Sequence, residues 1–135
     1  MPRLFALAPA LFAALCAALP AAGAELVMVE QRGCAYCARW DAEIAPIWPK
    51  TAAGRYAPLR RIDLHRPVPQ DLSLARRPVF TPTFILVDDG GTELARLEGY
   101  PGADFFWPLV EQMLERETDF DPAAAPTHSQ GGDPQ

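Results

Sequence analysis

The sequence predicts an α/β fold: a central mixed β-sheet flanked by helices, with a Cys-x-x-Cys pair at the N-terminus of the first helix. Three observations predict it. A Val-bearing apolar run, "ELVMVEQRG", leads directly into Cys34 and Cys37. Apolar residues then recur at three- and four-residue steps, the period of an amphipathic helix. Further on, "PTFILVDDGGTELARLEGY" reads as two extended runs around a turn. At 135 residues, half of them hydrophobic, the chain has room for one compact domain with a core of its own.

The first 24 residues, "MPRLFALAPALFAALCAALPAAGA", have the layout of an export leader. Arg3 precedes an apolar Leu/Ala run, and Ala22-Gly23-Ala24 supplies the small residues that a signal peptidase needs. Cleavage is expected between Ala24 and Glu25, Pro20 and the small-residue site arguing against a retained anchor. It would remove Cys16 and leave Cys34 and Cys37 as the remaining cysteines. The formal charge of −5 becomes one unit more negative without Arg3. An acidic exported domain is poorly suited to nucleic acid or to anionic lipid. In an oxidising compartment, an unpaired thiol is a liability and a paired one persists as a disulfide.

The expected domain runs over residues 25–117. Its first strand ends in the turn at Gly33, and the helix that follows carries a stripe of Cys37, Trp40, Ile44, Ile47 and Trp48. Pro46 should kink or end that helix, because proline lacks the N–H and crowds the carbonyl of Ala42. "APLRRIDLH" alternates as a second strand, and "PVPQDLSLARRP" reads as a short helix or loop closed by Pro78. Asp88-Asp89-Gly90-Gly91 joins the hairpin strands, and "GADFFWPLVEQMLERE" forms a terminal amphipathic helix. Residues 118–135 offer too little apolar surface to offset the entropy of ordering them, so a disordered tail is expected.

Three chemistries suit a cysteine pair at this spacing. As a staple, a disulfide across so short a loop removes little chain entropy. A structural zinc site usually needs four nitrogen or sulfur ligands, and beyond the pair the chain offers only His65 and His128, the second in the expected tail. Neither metal nor bound cofactor is therefore expected, and His65 reads as an ordinary residue at a strand end. A reactive dithiol uses the local features best. Gly33 allows a tight turn from strand to helix, so Cys34 falls at a helix N-terminus, where unpaired N–H groups and the macrodipole favour a thiolate. Arg32 and Arg39 are nearby cations, and Cys37, one turn further on, joins the apolar stripe.

On these residues the chain resembles the thioredoxin superfamily over roughly residues 25–117. The matching motifs are "CAYC" after the first strand, "TPT" opening the hairpin strand, and "EGYPG" before the last helix. The resemblance implies a thioredoxin-like fold in which Pro82 follows a cis peptide bond and faces the dithiol, while the backbone of Thr81 pairs with an extended partner segment. More narrowly, "LVMVEQRGCAYCARWDAEIAPIWPKT", "LRRIDLH", "FTPTFILVDDG" and "EGYPGADFFWPL" are similar to the SoxS-like periplasmic thioredoxins of bacterial sulfur-oxidation (Sox) systems. That similarity implies a periplasmic reductant of the cysteine of a sulfur-carrier protein, recharged by a membrane thiol-electron transporter. A general disulfide reductase or isomerase, for example in cytochrome c assembly, and a redox-inert binding module remain alternatives.

The chain departs from general thioredoxin in three places. Arg32-Gly33 precedes the first cysteine in place of a tryptophan, Ala35-Tyr36 stands between the cysteines in place of Gly-Pro, and Met28 occupies the position of the buried proton-relaying acid. Glu30, on the same strand face as Met28, is a candidate proton acceptor for Cys37, against the alternative of a solvated strand-end carboxylate. Most of the group Tyr100, Phe105, Phe106 and Trp107 should be core, with Tyr100 and Tyr36 as candidates for the substrate rim.

Overall fold

The computed structural model describes residues 23–124. The expected leader, apart from Gly23 and Ala24, and the tail beyond residue 124 lie outside the described residues. Strands β1 (Ala24–Glu30), β2 (Leu59–Asp63), β3 (Thr83–Asp88) and β4 (Glu93–Glu98) form one mixed sheet in the order β2-β1-β3-β4. β2 runs parallel to β1, while β3 is antiparallel to both β1 and β4. Parallel neighbours need a crossover, and α1 (Ala35–Glu43), a 3-10 turn at Trp48–Lys50 and α2 (Ala52–Tyr56) supply it. Helix α3 (Ala103–Glu117) follows the β3–β4 hairpin.

The central strands are apolar on both faces, so both faces must be covered. On one, Leu26, Met28, Phe84 and Leu86 pack with Trp40 and Ile44 from the first helical segment and with Phe106, Val110 and Leu114 from α3. The last three recur at four-residue steps, the buried stripe of α3. On the other, Val27, Val29, Ile85 and Val87 are covered by Leu64, Val68, Leu72 and Leu74. The segment between β2 and β3, expected as a short helix or loop, is thus a loop that does a helix's covering work. Ser73 pins it to the start of β4, accepting from Glu93 N–H and donating to Gly91 C=O. Gly91 takes φ +82°, and a Cβ there would lie 2.0 Å from the carbonyl oxygen of Asp71. Only glycine fits that combination.

Helix α1 ends at Glu43, three residues before Pro46, with the Ile44 N–H closing on Trp40 C=O. Because the helix stops there, the stripe loses its phase. Trp48 remains buried, whereas Ile47, expected in the stripe, is 45% exposed. Phe105 also turns outward at 65% exposure, while Phe106 meets the rings of Trp40, Trp48, Phe84 and Tyr100 at 4.9–6.2 Å. The first residues of the expected tail are ordered onto the domain. Phe120 is buried with its ring 5.3 Å from that of Tyr56, and Pro122–Ala124 forms a 3-10 turn. One large aromatic supplies there the apolar surface that the segment's composition as a whole lacks.

Candidate active site

The polypeptide leaves β1 through a turn in which Cys34 N–H donates to Gln31 C=O, and Gly33 adopts φ +79°. Nothing lies within 4 Å of where a Cβ on Gly33 would stand, so the left-handed backbone alone calls for glycine. That turn delivers Cys34 to the N-cap of α1, where Sγ accepts the N–H of Cys37 at 3.1 Å. The two sulfurs are bonded at 2.07 Å. Cys34 is half-buried, whereas Cys37 is 4% exposed and packs in the core. One sulfur is reachable and sits at a cluster of free helix N–H groups; the other is covered and within bonding reach.

A cleft beside the pair is lined by Tyr36, Thr81, Pro82, Gly99, Tyr100 and Leu109. The Thr81–Pro82 peptide is cis. Pro82 is buried, its carbonyl accepting from Gly99 N–H at 2.7 Å, and Thr83 Oγ1 donates to Phe80 C=O. Both loops that bear the sequence motifs "TPT" and "EGYPG" are thereby locked to each other. Tyr36 stands at the rim, 59% exposed. Tyr100 lines the cleft from below: it is 5% exposed, and its hydroxyl donates to Glu43 at 2.5 Å. Burial, with the neighbouring Glu43 carboxylate, pushes the Tyr100 hydroxyl up to about 12. Arg39 bonds Glu43 at 2.8 Å and lies over the Tyr100 ring, so its charge is directed to this network. Arg32 is exposed.

A second cavity, onto which both cysteines open, is lined by Glu30, Gln31, Cys34, Cys37, Asp41 and Asp63. Glu30 accepts from Arg61 at 2.6 Å, and the same guanidinium reaches Asp41 at 2.7 Å while lying over the Trp40 ring. The buried Met28 is part of the core beneath, 3.7 Å from Arg61. Glu30 thus lines the same cavity as the cysteines and is held by Arg61. Sequence reasoning missed Arg61, which pairs with Met28 across the parallel β1–β2 register. It also missed Gln31 and His65 as partners. Gln31 Nε2 donates to Thr81 Oγ1 at 2.7 Å, and His65 Nε2 lies 2.8 Å from Gln31 Oε1. The exposed Val79 and Phe80, just before Thr81, carried no sequence signal either.

Among the described residues, no His, Cys, Asp and Glu side chains group in a way that would hold a metal ion, and no helix is long and apolar enough to cross a membrane.

Comparison with known proteins agrees with this geometry. The family described as thioredoxin-like domain matches residues 14–114. The crystal structure of the periplasmic thioredoxin SoxS from Paracoccus pantotrophus, in reduced form, is 54% identical, with a TM-score of 0.67 over 69% of this chain and 97% of that one. A thioredoxin-fold protein from Helicobacter pylori, 16% identical, matches with a TM-score of 0.54 over 74% of each chain and shares the fold. No curated protein matches. With its Cys34–Cys37 pair at the start of α1, the chain belongs to the thioredoxin superfamily, is SoxS-like within it, and is a thiol–disulfide oxidoreductase.

Proposed function

We propose that the protein is a periplasmic reductant that opens a disulfide on a partner protein, the sulfur carrier of a Sox system. The observation that carries this reading is the asymmetry of the pair: Cys34 is reachable at a helix start and Cys37 is covered one turn later. The 54% identical periplasmic thioredoxin SoxS supports the compartment and a protein disulfide as the target. A leader cleaved after Ala24 would deliver the chain there, and a membrane thiol-electron transporter would return it to the dithiol form.

In the reaction, the Cys34 thiolate attacks one sulfur of the partner's disulfide, and the other leaves as a thiolate that takes up a proton. A mixed disulfide results. Cys37, giving up its proton, attacks Cys34 Sγ and expels the partner's second thiolate. Two electrons pass to the partner, and the Cys34–Cys37 bond remains. Glu30 is the proposed acceptor of the Cys37 proton, since both line the same cavity. Thr81, Pro82, Tyr36 and Tyr100 hold the partner. Thr81 precedes β3, which starts at Thr83, so its backbone lies outside the sheet ladder and is open to an extended chain.

The first turn of α1 supports the direction. Ala35, Tyr36 and Cys37 carry no charge that would strongly stabilise the thiolate, the property that makes a strong oxidant. The test is a Cys37→Ser protein, reduced and mixed with the purified sulfur carrier in disulfide form. A dithiothreitol-labile adduct through Cys34 is expected. No adduct, or one that survives Cys34→Ser, would refute the assignment.

A further inference from the structure

A line of hydrogen bonds links the cavity of the cysteines to the cleft at Pro82. Asp63 Oδ1 accepts the backbone N–H of His65 at 2.7 Å; His65 Nε2 meets Gln31 Oε1 at 2.8 Å; Gln31 Nε2 donates to Thr81 Oγ1 at 2.7 Å. It joins the end of β2, the turn before Cys34 and the loop at cis-Pro82, residues separated by 34 and 50 positions in the chain. Gln31 lines the cavity that holds both cysteines, and Thr81 lines the cleft with Tyr36 and Pro82.

The direction of each bond follows from the orientation of the Gln31 amide, whose oxygen faces His65 and whose nitrogen faces Thr81. An amide oxygen only accepts, so the imidazole Nε2 donates to Gln31, which it does both as the Nε2–H tautomer and as imidazolium. Held by that bond, the Gln31 amide has its nitrogen toward Thr81, whose oxygen must accept. A hydroxyl that accepts from one side keeps its single O–H for another partner. We propose that Gln31, braced by His65, is a positioning residue that turns the Thr81 hydroxyl so that its proton is presented to the partner chain in the cleft. This rests on the partner-reduction reading and adds to it a polar, acceptor-seeking contact beside the backbone pairing. The partner segment that fits carries a carbonyl, amide or carboxylate oxygen next to its disulfide.

The test compares Gln31→Glu with Gln31→Ala. Glutamate keeps the length of the side chain and accepts from His65, but its second oxygen also accepts, so the Thr81 O–H is drawn inward. With dithiothreitol as electron donor, kcat and KM are measured for the disulfides of insulin and for hydroxyethyl disulfide, which is too small to use the cleft. Both variants are expected to raise the insulin KM about five-fold with little change in kcat, a rise not matched with hydroxyethyl disulfide. In a Thr81→Val background the same changes at Gln31 should add nothing. An unchanged insulin KM in Gln31→Glu, or an effect that persists without the Thr81 hydroxyl, would overturn this inference alone. A wild type that reduces hydroxyethyl disulfide but neither insulin nor the disulfide of the sulfur carrier would overturn the partner-reduction reading, and this inference with it.

Discussion

Replacing Gly33 by alanine tests how the turn presents Cys34. The residue sits at φ +79°, a region that disfavours L side chains by about 1–2 kcal/mol. A Cβ would meet nothing within 4 Å, so no clash adds to that figure. The expected loss is therefore about 1–2 kcal/mol, or about 4–16 °C in Tm for a domain of roughly a hundred residues. Gly33→Asn should lose less, because asparagine tolerates the left-handed region. Gly91→Ala should lose more, because its Cβ would also lie 2.0 Å from a carbonyl oxygen. Urea and thermal unfolding of the oxidised proteins, followed by circular dichroism, measure all three. If Gly33→Ala were as stable as the wild type, or if Gly33→Asn were the worse of the pair, the backbone argument for this turn would be wrong.

Two further outcomes follow from the network around the pair. Tyr100→Phe removes the hydroxyl held by Glu43 and should destabilise the protein by about 1 kcal/mol at neutral pH. Because the folded state raises this hydroxyl from 10.0 to about 12, its contribution is complete below pH 10 and lost as pH rises toward 12. The difference between wild type and variant, read by urea unfolding, should shrink across that window, and a constant difference would contradict the assignment. Glu30→Gln should slow resolution of the mixed disulfide by Cys37 at least about ten-fold, as loss of a general base does. Stopped-flow rates equal to wild type would leave Glu30 as the ion-pair partner of Arg61 alone.

Elements with a strong period were legible in the sequence: the apolar β1 and β3, the glycine turn of the hairpin, and α3 as a terminal amphipathic helix. So was the placement of the cysteines, since a glycine turn between a strand and a helix leaves little choice. Ile47 falls outside the buried stripe because periodicity holds only while the helix lasts, and α1 stops at Glu43. Helix α2, five residues long, has no room for a pattern, and its Ala53 and Gly54 are buried without being large. Phe105 and Phe106 are adjacent and chemically identical, so only the rotation of α3 decides which one enters the core. The polar partners of the site were hidden for a different reason. Gln31, His65 and Thr81 meet through tertiary hydrogen bonds across distant loops, which leave no periodic trace. Arg61 reads in the sequence as one charge of a half-exposed strand, and only the β1–β2 register sets it beside Met28 and Glu30.

The most direct measurement of the central claim is the rate of alkylation of each cysteine in the fully reduced protein, followed by mass spectrometry across a pH series. Cys34 is expected to react first, with a thiol pKa below the value of about 8.5 for free cysteine, while Cys37 stays protected by burial. A Cys34 that titrates like free cysteine, or a Cys37 that reacts ahead of it, would contradict the account.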